Sequence, residues 1–379
     1  MNESSEPLRV LIATCSLAGY GGTDLYTRDL ALALLKAGWL PVVYSTEGGR
    51  IADELRRATI PVVNQLDAVT AAPHVIHGHH ILETVASLAR FPAAPAVFVC
   101  HDSVTWHSLP PLSRRIAVYV AVDRNCRDRM MLEHQIPEES IRIMPNAVDL
   151  DRFGRRASLP DKPRRALVFS NQAKENTWVA PIRSACERHG ITLDVIGLGS
   201  RRYAENPERV LPDYDLVFGK ARCALEALAS GAAVVACDAP GLAGMVTSRN
   251  LDEFRELNFG ARTLRRELTR EAIEEEIGRY DATDALAVSE RIRGMAGVDQ
   301  LAADFVELYR EIRQTPVSVA PDADLRAMGQ SLERLMPLLY RSPNQRASIP
   351  RRLLRWLANS KAMSPVARVL YRFRHKTGL

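Results

Sequence analysis

Short apolar runs alternate with helix-length segments along the first half of the chain. Runs rich in β-branched residues occupy residues 8–14, 41–46, 74–78, 96–100 and 118–122. After the first run, Gly21 and Gly22 break the chain, and residues 24–38 have the spacing of a helix that ends at Gly38. Strands separated by helices are typical of βαβ units, so this half of the chain predicts a parallel sheet.

The alternation stops at residues 145–165, a polar stretch with three prolines that predicts a linker, and then resumes. The second series has apolar runs at 166–170, 193–197 and 215–218, followed by GKARCALEALASGAAVVACD at 219–238, which predicts a helix ending at Gly231 and a buried strand. Residues 268–313 are helical in pattern, and 314–325 predict another linker. We therefore expect three parts: domain 1–150, domain 151–313 and a tail 314–379.

Composition narrows the class of protein. The 379 residues are 46% hydrophobic and 25% charged, as in a globular protein. Six cysteines without a Cys-x-x-Cys pair indicate free thiols in a reducing compartment. The sequence shows neither a signal peptide nor an apolar run of about 18 residues, so we expect a cytoplasmic protein.

The net charge of +5 is unevenly distributed. Residues 341–379 contain ten Lys or Arg and no Asp or Glu, which leaves the preceding part at −5. Basic residues alternate there with Leu, Trp, Tyr and Phe, a pattern of short amphipathic helices. An anionic membrane surface is one natural partner for residues 345–379, and packing on the tail's own domain is the alternative. We expect no nucleic-acid partner.

Candidate ligand-binding residues follow the predicted strands of the first half. Gly21 and Gly22 precede a helix, so they let the backbone approach an anion at the helix N-terminus, although a tight turn would use them equally well. The three histidines of VIHGHH at 75–80 suggest a metal site or, as we prefer, a polar rim of a cleft. His101 follows a strand, where it could contact a substrate or satisfy loop backbone.

The segment 219–238 places one carboxylate, Glu226, among apolar neighbours, near the start of the predicted helix. A carboxylate that lines a cleft can accept hydrogen bonds from the vicinal hydroxyls of a ribose. Lys220 and Arg222, in the loop that enters this helix, would suit phosphates. The alternative is a simple ion pair between Glu226 and Arg222, four residues apart.

Four stretches in this order resemble glycosyltransferase family 4. They are GYGGTDLYTRDLALALLKAGW, VFVCHDS, IPEESIRIMPNAVDLDRF and LEALASGAAVVACDAPGLAGMV, within residues 8–313. The resemblance implies an α/β protein of the GT-B fold, in which two Rossmann-like parallel-sheet domains face a central cleft. The N-terminal domain would lie on the acceptor side and the C-terminal domain would bind the nucleotide sugar.

The resemblance also implies a function and roles for single residues. The reaction would be the transfer of a sugar, of the hexosyltransferase type, from a nucleotide diphosphosugar with retention at the anomeric carbon, without a metal or other cofactor. Gly21 and Gly22 would approach the donor diphosphate, His101 would lie near the transferred sugar, and Glu226 would bind the ribose. The acceptor would be a glycan or lipid-linked molecule of cell-surface polysaccharide or lipopolysaccharide synthesis.

Two positions depart from the family pattern. Where the family commonly has a second glutamate, eight residues before Glu226, this chain has Phe218. Lys174 could stand for the lysine of the family's phosphate clamp, but no arginine precedes it, and Lys220 and Arg222 would compensate from across the cleft. A GT-B sugar-nucleotide epimerase and a non-catalytic sugar-nucleotide-binding protein therefore remain alternatives.

Overall fold

Seven parallel strands form the first sheet of the computed structural model. In space they follow the order β3-β2-β1-β4-β5-β6-β7. Strands β2 and β3 lie on one side of β1, and strands β4 to β7 lie on its other side. The strands are β1 Arg9–Ser16, β2 Leu40–Glu47, β3 Val62–Val63, β4 Val75–Gly78, β5 Ala96–Cys100, β6 Ile116–Ala121 and β7 Ile141–Ile143. The helices are α1 Gly22–Lys36, α2 Arg50–Arg57, α3 Ile81–Arg90 and α4 Arg124–Leu132.

The second sheet has five strands in the order β12-β11-β10-β8-β9, of which only β12 is antiparallel to its neighbour. The strands are β8 Arg165–Phe169, β9 Thr192–Ile196, β10 Leu216–Gly219, β11 Ala233–Asp238 and β12 Gly241–Met245. The helices are α5 Val179–Arg188, α6 Pro207–Val210, α7 Ala221–Ala229, α8 Leu251–Glu256, α9 Arg270–Gly278, α10 Ala282–Met295, α11 Val298–Gln314 and α12 Pro321–Tyr340.

The structure describes residues 7–19, 21–175, 177–200, 204–314 and 320–340. The chain divides into two units, Met1–Met328 and Gly329–Leu379, and the first contains both sheets. Within the described residues, no helix is both long and apolar enough to cross a lipid bilayer. The basic tail from residue 341 onward, with its predicted helices, lies outside the described residues.

The two parallel-dominated sheets confirm the predicted α/β class. Each of the eight apolar runs named above overlaps a strand, and α7 ends as predicted, with Gly231 just beyond it at φ 87°. The linker prediction for 314–325 is wrong at its end, because α12 already begins at Pro321. The domain boundaries at 150/151 and 313/314 stay a prediction.

Helix α11 returns from the second sheet to the first. It packs along α1, and the ring of its Tyr309 lies 5.2 Å from that of Trp39. Tyr309 is fully buried and contacts His77 of β4 through its hydroxyl. Helix α11, which follows the second sheet in the chain, therefore completes the core of the first sheet.

A buried ion pair ties the start of α12 to the first sheet. Arg115 Nε donates to Asp324 Oδ2 at 2.7 Å, and both side chains are buried. The Ser113 hydroxyl donates to the other carboxylate oxygen, and Arg115 also caps the carbonyls of Leu88 and Phe91. Breaking such a pair leaves a buried charge without compensation.

We expect Asp324→Asn to lower the free energy of unfolding by about 3 kcal/mol, because Arg115 then keeps its charge without a carboxylate. Asp67→Asn is the matched control, since Asp67 pairs with Arg90 on the surface, where such pairs contribute at most about 1 kcal/mol. Urea unfolding followed by circular dichroism measures both. Equal effects of the two variants would contradict the structural role of the buried pair.

Candidate active site

A cleft lies between the two sheets. Its walls come from the segments that follow parallel strands, where ligands bind in open α/β sheets. The first sheet contributes through Gly22 and Arg28 of α1 and Arg50 of α2, and the second through Phe169 and Gly197 at strand ends and Arg222 and Glu226 of α7.

Glu226 lies on the wall of this cleft and is only 3% exposed. Its Oε1 accepts a hydrogen bond from Arg222 Nε at 2.6 Å, whereas its Oε2 accepts none from the described part of the chain. The expectation that Glu226 lies near the helix start is wrong, since α7 begins at Ala221 and Glu226 is its sixth residue. The helix dipole acts mainly within the first turn, so the guanidinium of Arg222, rather than the helix N-terminus, is the main positive charge that acts on this carboxylate.

Arg222 also reaches across the cleft. Its Nη2 makes a short hydrogen bond to Asp29 Oδ2 on α1, so one guanidinium joins a helix of each sheet. Asp29 is 3% exposed and accepts a second hydrogen bond from Arg28 Nε at 2.8 Å. We call Asp29, Arg222 and Glu226 the Arg222 bridge. It makes the predicted ion pair of Arg222 and Glu226 part of a larger contact.

The pKa values of the two carboxylates of the Arg222 bridge are shifted in opposite directions. Burial raises the pKa of Glu226, and the attraction of Arg222 offsets this only in part. Burial acts on Asp29 as well, but the charges of Arg222 and Arg28 outweigh it and hold the pKa of Asp29 below its ordinary value. The difference arises because Arg28 bonds Asp29 directly and acts on Glu226 only at a distance.

The glycine loop lies at the N-terminus of α1. Gly21 is the N-cap residue and Gly22 lines the cleft. The buried carboxylate of Asp24 accepts a hydrogen bond from the Gly19 amide at 3.2 Å, and a Cβ added to Gly21 would meet it at 3.1 Å. An anion from the protein itself therefore already lies beside this loop, and a phosphate would have to bind next to it.

The two predicted lysines lie away from the cleft wall that the structure describes. Lys220 is the N-cap residue of α7, and its Nζ lies 2.8 Å from Asp238 Oδ2, at the end of β11. Lys174 is exposed in the loop after β8. The prediction that Arg222 lies in the loop that enters the helix is wrong, because Arg222 lies in the first turn of the helix itself. Of the predicted phosphate ligands, Gly22 and Arg222 thus line the cleft directly.

His101 follows β5 and is half-buried. Its Nε2 lies 2.7 Å from His79 Nδ1, and its ring packs edge-on against Tyr26 of α1 at 4.6 Å. Burial lowers the pKa of His101 to about 3, so the ring is neutral at neutral pH.

The prediction that the histidines of VIHGHH form a polar rim is wrong. His77 and His79 are fully buried, and His80 is 3% exposed. The physical reason is that β4 is an inner strand between β1 and β5, so residues at its end are covered by neighbouring loops and by α11. Among the described residues, no group of His, Cys, Asp and Glu has the geometry to hold a metal ion.

Phe218 lies in the core rather than in the site, and three charged residues that were not predicted belong to the site. Phe218 is fully buried in β10, so at the position of the family's second glutamate this chain has a core residue. The residues that were not predicted from the sequence are Arg28, Asp29 and Arg152. Arg152 Nη1 lies 3.8 Å from Asp29 Oδ1. The signal for the first two was present, since adjacent opposite charges interrupt the apolar pattern of DLYTRDLALALL.

Comparison with known proteins gives a family match for the N-terminal part of the chain. Residues 20–152 match the model of Glycosyltransferase Family 4. The chain has the GT-B fold, and its N-terminal part matches glycosyltransferase family 4. This confirms the resemblance that the motifs indicated. No curated protein sequence matches the chain significantly.

Solved structures agree on the fold. A glycosyltransferase from Rickettsia africae is 12% identical, with a TM-score of 0.58 over 82% of this chain and 99% of that one. HepE from Anabaena in complex with UDP is 13% identical, with a TM-score of 0.57 over 81% and 100% of the two chains. Its complex with UDP and glucose has a TM-score of 0.58 over 80% and 100%, at 13% identity. At these identities the likeness concerns the fold alone.

We expect Arg222→Met to lower the free energy of unfolding by about 3 kcal/mol at about pH 7, because two buried carboxylates lose their shared cation. In the folded variant the pKa of Glu226 would rise further above its ordinary value, because burial then acts without the offset of Arg222, and the pKa of Asp29 would rise from its lowered value. Protonation would then favour the folded variant, so its deficit should shrink as the pH falls toward about 4. Urea unfolding across this pH range measures the effect.

Arg155→Met is the matched control, since Arg155 pairs with the exposed Glu290. We expect this variant to lose at most about 1 kcal/mol at any pH. A deficit of Arg222→Met that stayed constant from neutral to acidic pH would contradict the assignment of that deficit to the buried carboxylates.

Proposed function

We propose that the chain is a retaining, metal-independent glycosyltransferase of the hexosyltransferase type. It would move a sugar from a nucleotide diphosphosugar to a glycan or lipid-linked acceptor. The observation that carries this proposal is the position of Glu226, a buried carboxylate on the wall of the cleft whose Oε2 accepts no hydrogen bond from the described residues. The family match of the N-terminal part and the complexes of HepE with UDP support a nucleotide-sugar partner.

The donor would lie across the cleft, with its ribose at Glu226. Vicinal hydroxyls can donate to Oε2, while Arg222 keeps Oε1 in place. Arg222 Nη1 donates no hydrogen bond to a described residue and is a candidate contact for the diphosphate. Gly22 and Gly21 would contribute from the opposite wall, and Lys174 and Lys220 after movement of their side chains.

The chemistry requires stabilisation of the leaving nucleoside diphosphate. Negative charge builds on the β-phosphate as its bond to the anomeric carbon breaks, and preorganised cations and amides stabilise that charge. Arg222 is well preorganised, because two carboxylates hold its guanidinium. His101 would contact the transferred sugar as a neutral ring, and closure of the two domains would exclude water from the donor.

The first test is a panel of UDP-, GDP- and ADP-sugars incubated with the full chain, with detection of released nucleotide. We expect release from one nucleotide class, increased by an acceptor. Two other outcomes are the alternatives to transfer, because Phe218 stands where the family has its second glutamate. Conversion of the sugar without release would show an epimerase, and binding without turnover would show a non-catalytic binder. Either result would overturn transfer.

The ribose assignment predicts a selective effect of Glu226→Gln. We expect this variant to bind UDP about tenfold more weakly than the unchanged protein, since a hydrogen bond to a charged group is lost. It should bind 2′-deoxy-UDP almost as well as the unchanged protein does. Calorimetry measures the four affinities, and Glu290→Gln on the surface is the control. An equal loss for both nucleotides would show that Glu226 does not read the ribose hydroxyls.

The acceptor side of the proposal concerns the cell surface. We propose a cytoplasmic enzyme of polysaccharide or lipopolysaccharide synthesis that is peripheral at the inner face of the membrane. The support is the excess of basic and aromatic residues in 345–379, which suits anionic lipid headgroups.

We expect the full chain to sediment with vesicles that contain an anionic phospholipid, and the chain without residues 345–379 to stay in solution. Vesicles of zwitterionic lipid alone are the control, and neither protein should sediment with them. Equal sedimentation of both proteins with anionic vesicles would contradict a membrane role for the tail.

A further inference from the structure

A histidine pair connects the candidate sugar-binding residue to the core of the first sheet. His79 Nδ1 and His101 Nε2 are 2.7 Å apart, a distance at which one nitrogen donates and the other accepts. His79 is fully buried, and His101 is half-buried. The pair therefore has one inner member and one member that is partly exposed.

Both rings carry a single proton at neutral pH. Burial lowers the pKa of His79 well below its ordinary value and that of His101 to about 3. A neutral imidazole has one N–H and one bare nitrogen, so the direction of the hydrogen bond between the rings fixes both tautomers. Only two arrangements are consistent with the short contact.

The outer nitrogen of His79 decides between these arrangements. His79 Nε2 is buried and forms no hydrogen bond to any described residue. If His101 donated, His79 would carry its proton on this nitrogen and bury an N–H without an acceptor. If His79 donates from Nδ1, the buried nitrogen is a bare acceptor, and buried acceptors without a partner are more common than buried N–H groups without one.

His77 and Tyr309 hold His79 in this position. The ring of His77 lies edge-on to that of His79 at 4.7 Å, and His77 Nδ1 lies 2.5 Å from the Tyr309 hydroxyl. Tyr309 belongs to α11, which packs along α1. His79 therefore packs against His77, which the returning helix contacts through Tyr309.

We propose that His79 is a positioning residue that fixes His101 in the tautomer with its proton on Nδ1. His101 Nδ1 forms no hydrogen bond to a described residue, and His101 is the one member of the trio formed with His77 and His79 that is not fully buried. His101 then presents an N–H donor, which would bind a hydroxyl or ring oxygen of the transferred sugar. This last role rests on the proposed function, whereas the tautomer itself does not.

The test is nitrogen NMR of the full chain with ¹⁵N-labelled histidine, because one-bond and two-bond couplings show which ring nitrogen carries the proton. The exposed His189 gives a reference for an unconstrained ring, and His101→Asn assigns the signal. We expect Nδ1–H at His101 in the unchanged protein. A proton on Nε2 of His101 would overturn the proposal, whatever the outcome of the turnover assays.

Two variants of His79 separate positioning from packing. In His79→Asn the side-chain amide occupies the place of Nδ1 and can still donate, so we expect the His101 tautomer to persist. In His79→Phe the ring volume persists but the donor is lost, so we expect the proton to move toward Nε2. If the donor assay shows turnover, kcat should fall about tenfold in His79→Phe and at most twofold in His79→Asn. An unchanged tautomer in His79→Phe would contradict the role of His79.

Discussion

The site depends on one constraint: two carboxylates are buried in the cleft, and one guanidinium pairs with both. Asp29 and Glu226 are each 3% exposed and belong to helices of different sheets. An unpaired buried charge costs several kcal/mol, and among the described residues Arg222 is the one ion-pair partner of Glu226, whereas Asp29 also pairs with Arg28. The relative position of the two sheets and the orientation of Glu226 therefore rest on the same contact.

This constraint also shapes what the cleft can bind. With Oε1 held by Arg222, Glu226 offers a single oxygen in a fixed direction, which suits a neutral hydroxyl better than a second cation. Asp24 beside the glycine loop and Asp238 beside Lys220 add further negative groups around the candidate phosphate site. An incoming diphosphate must compete with these carboxylates for the cations and amides, and domain movement is the simplest way to release them.

Local patterns predicted the elements, and tertiary contacts decided the site. The strand that ends just before His101 and the helix that stops before Gly231 follow from apolar runs and a glycine, which act over a few residues. The pairing of Arg222 with Asp29 joins residues 193 positions apart, so no local pattern predicts it. Likewise, VIHGHH shows three polar rings, but only the inner place of β4 in the sheet explains their burial.

The most direct measurement is a crystal structure of the full chain with UDP bound. Our account predicts the nucleotide in the cleft, with the ribose hydroxyls within about 3 Å of Glu226 and the diphosphate between Arg222 and the loop of Gly21 and Gly22. Arg222 should still contact Glu226 in that complex. UDP bound outside the cleft, or a ribose that does not contact Glu226, would contradict the central claim.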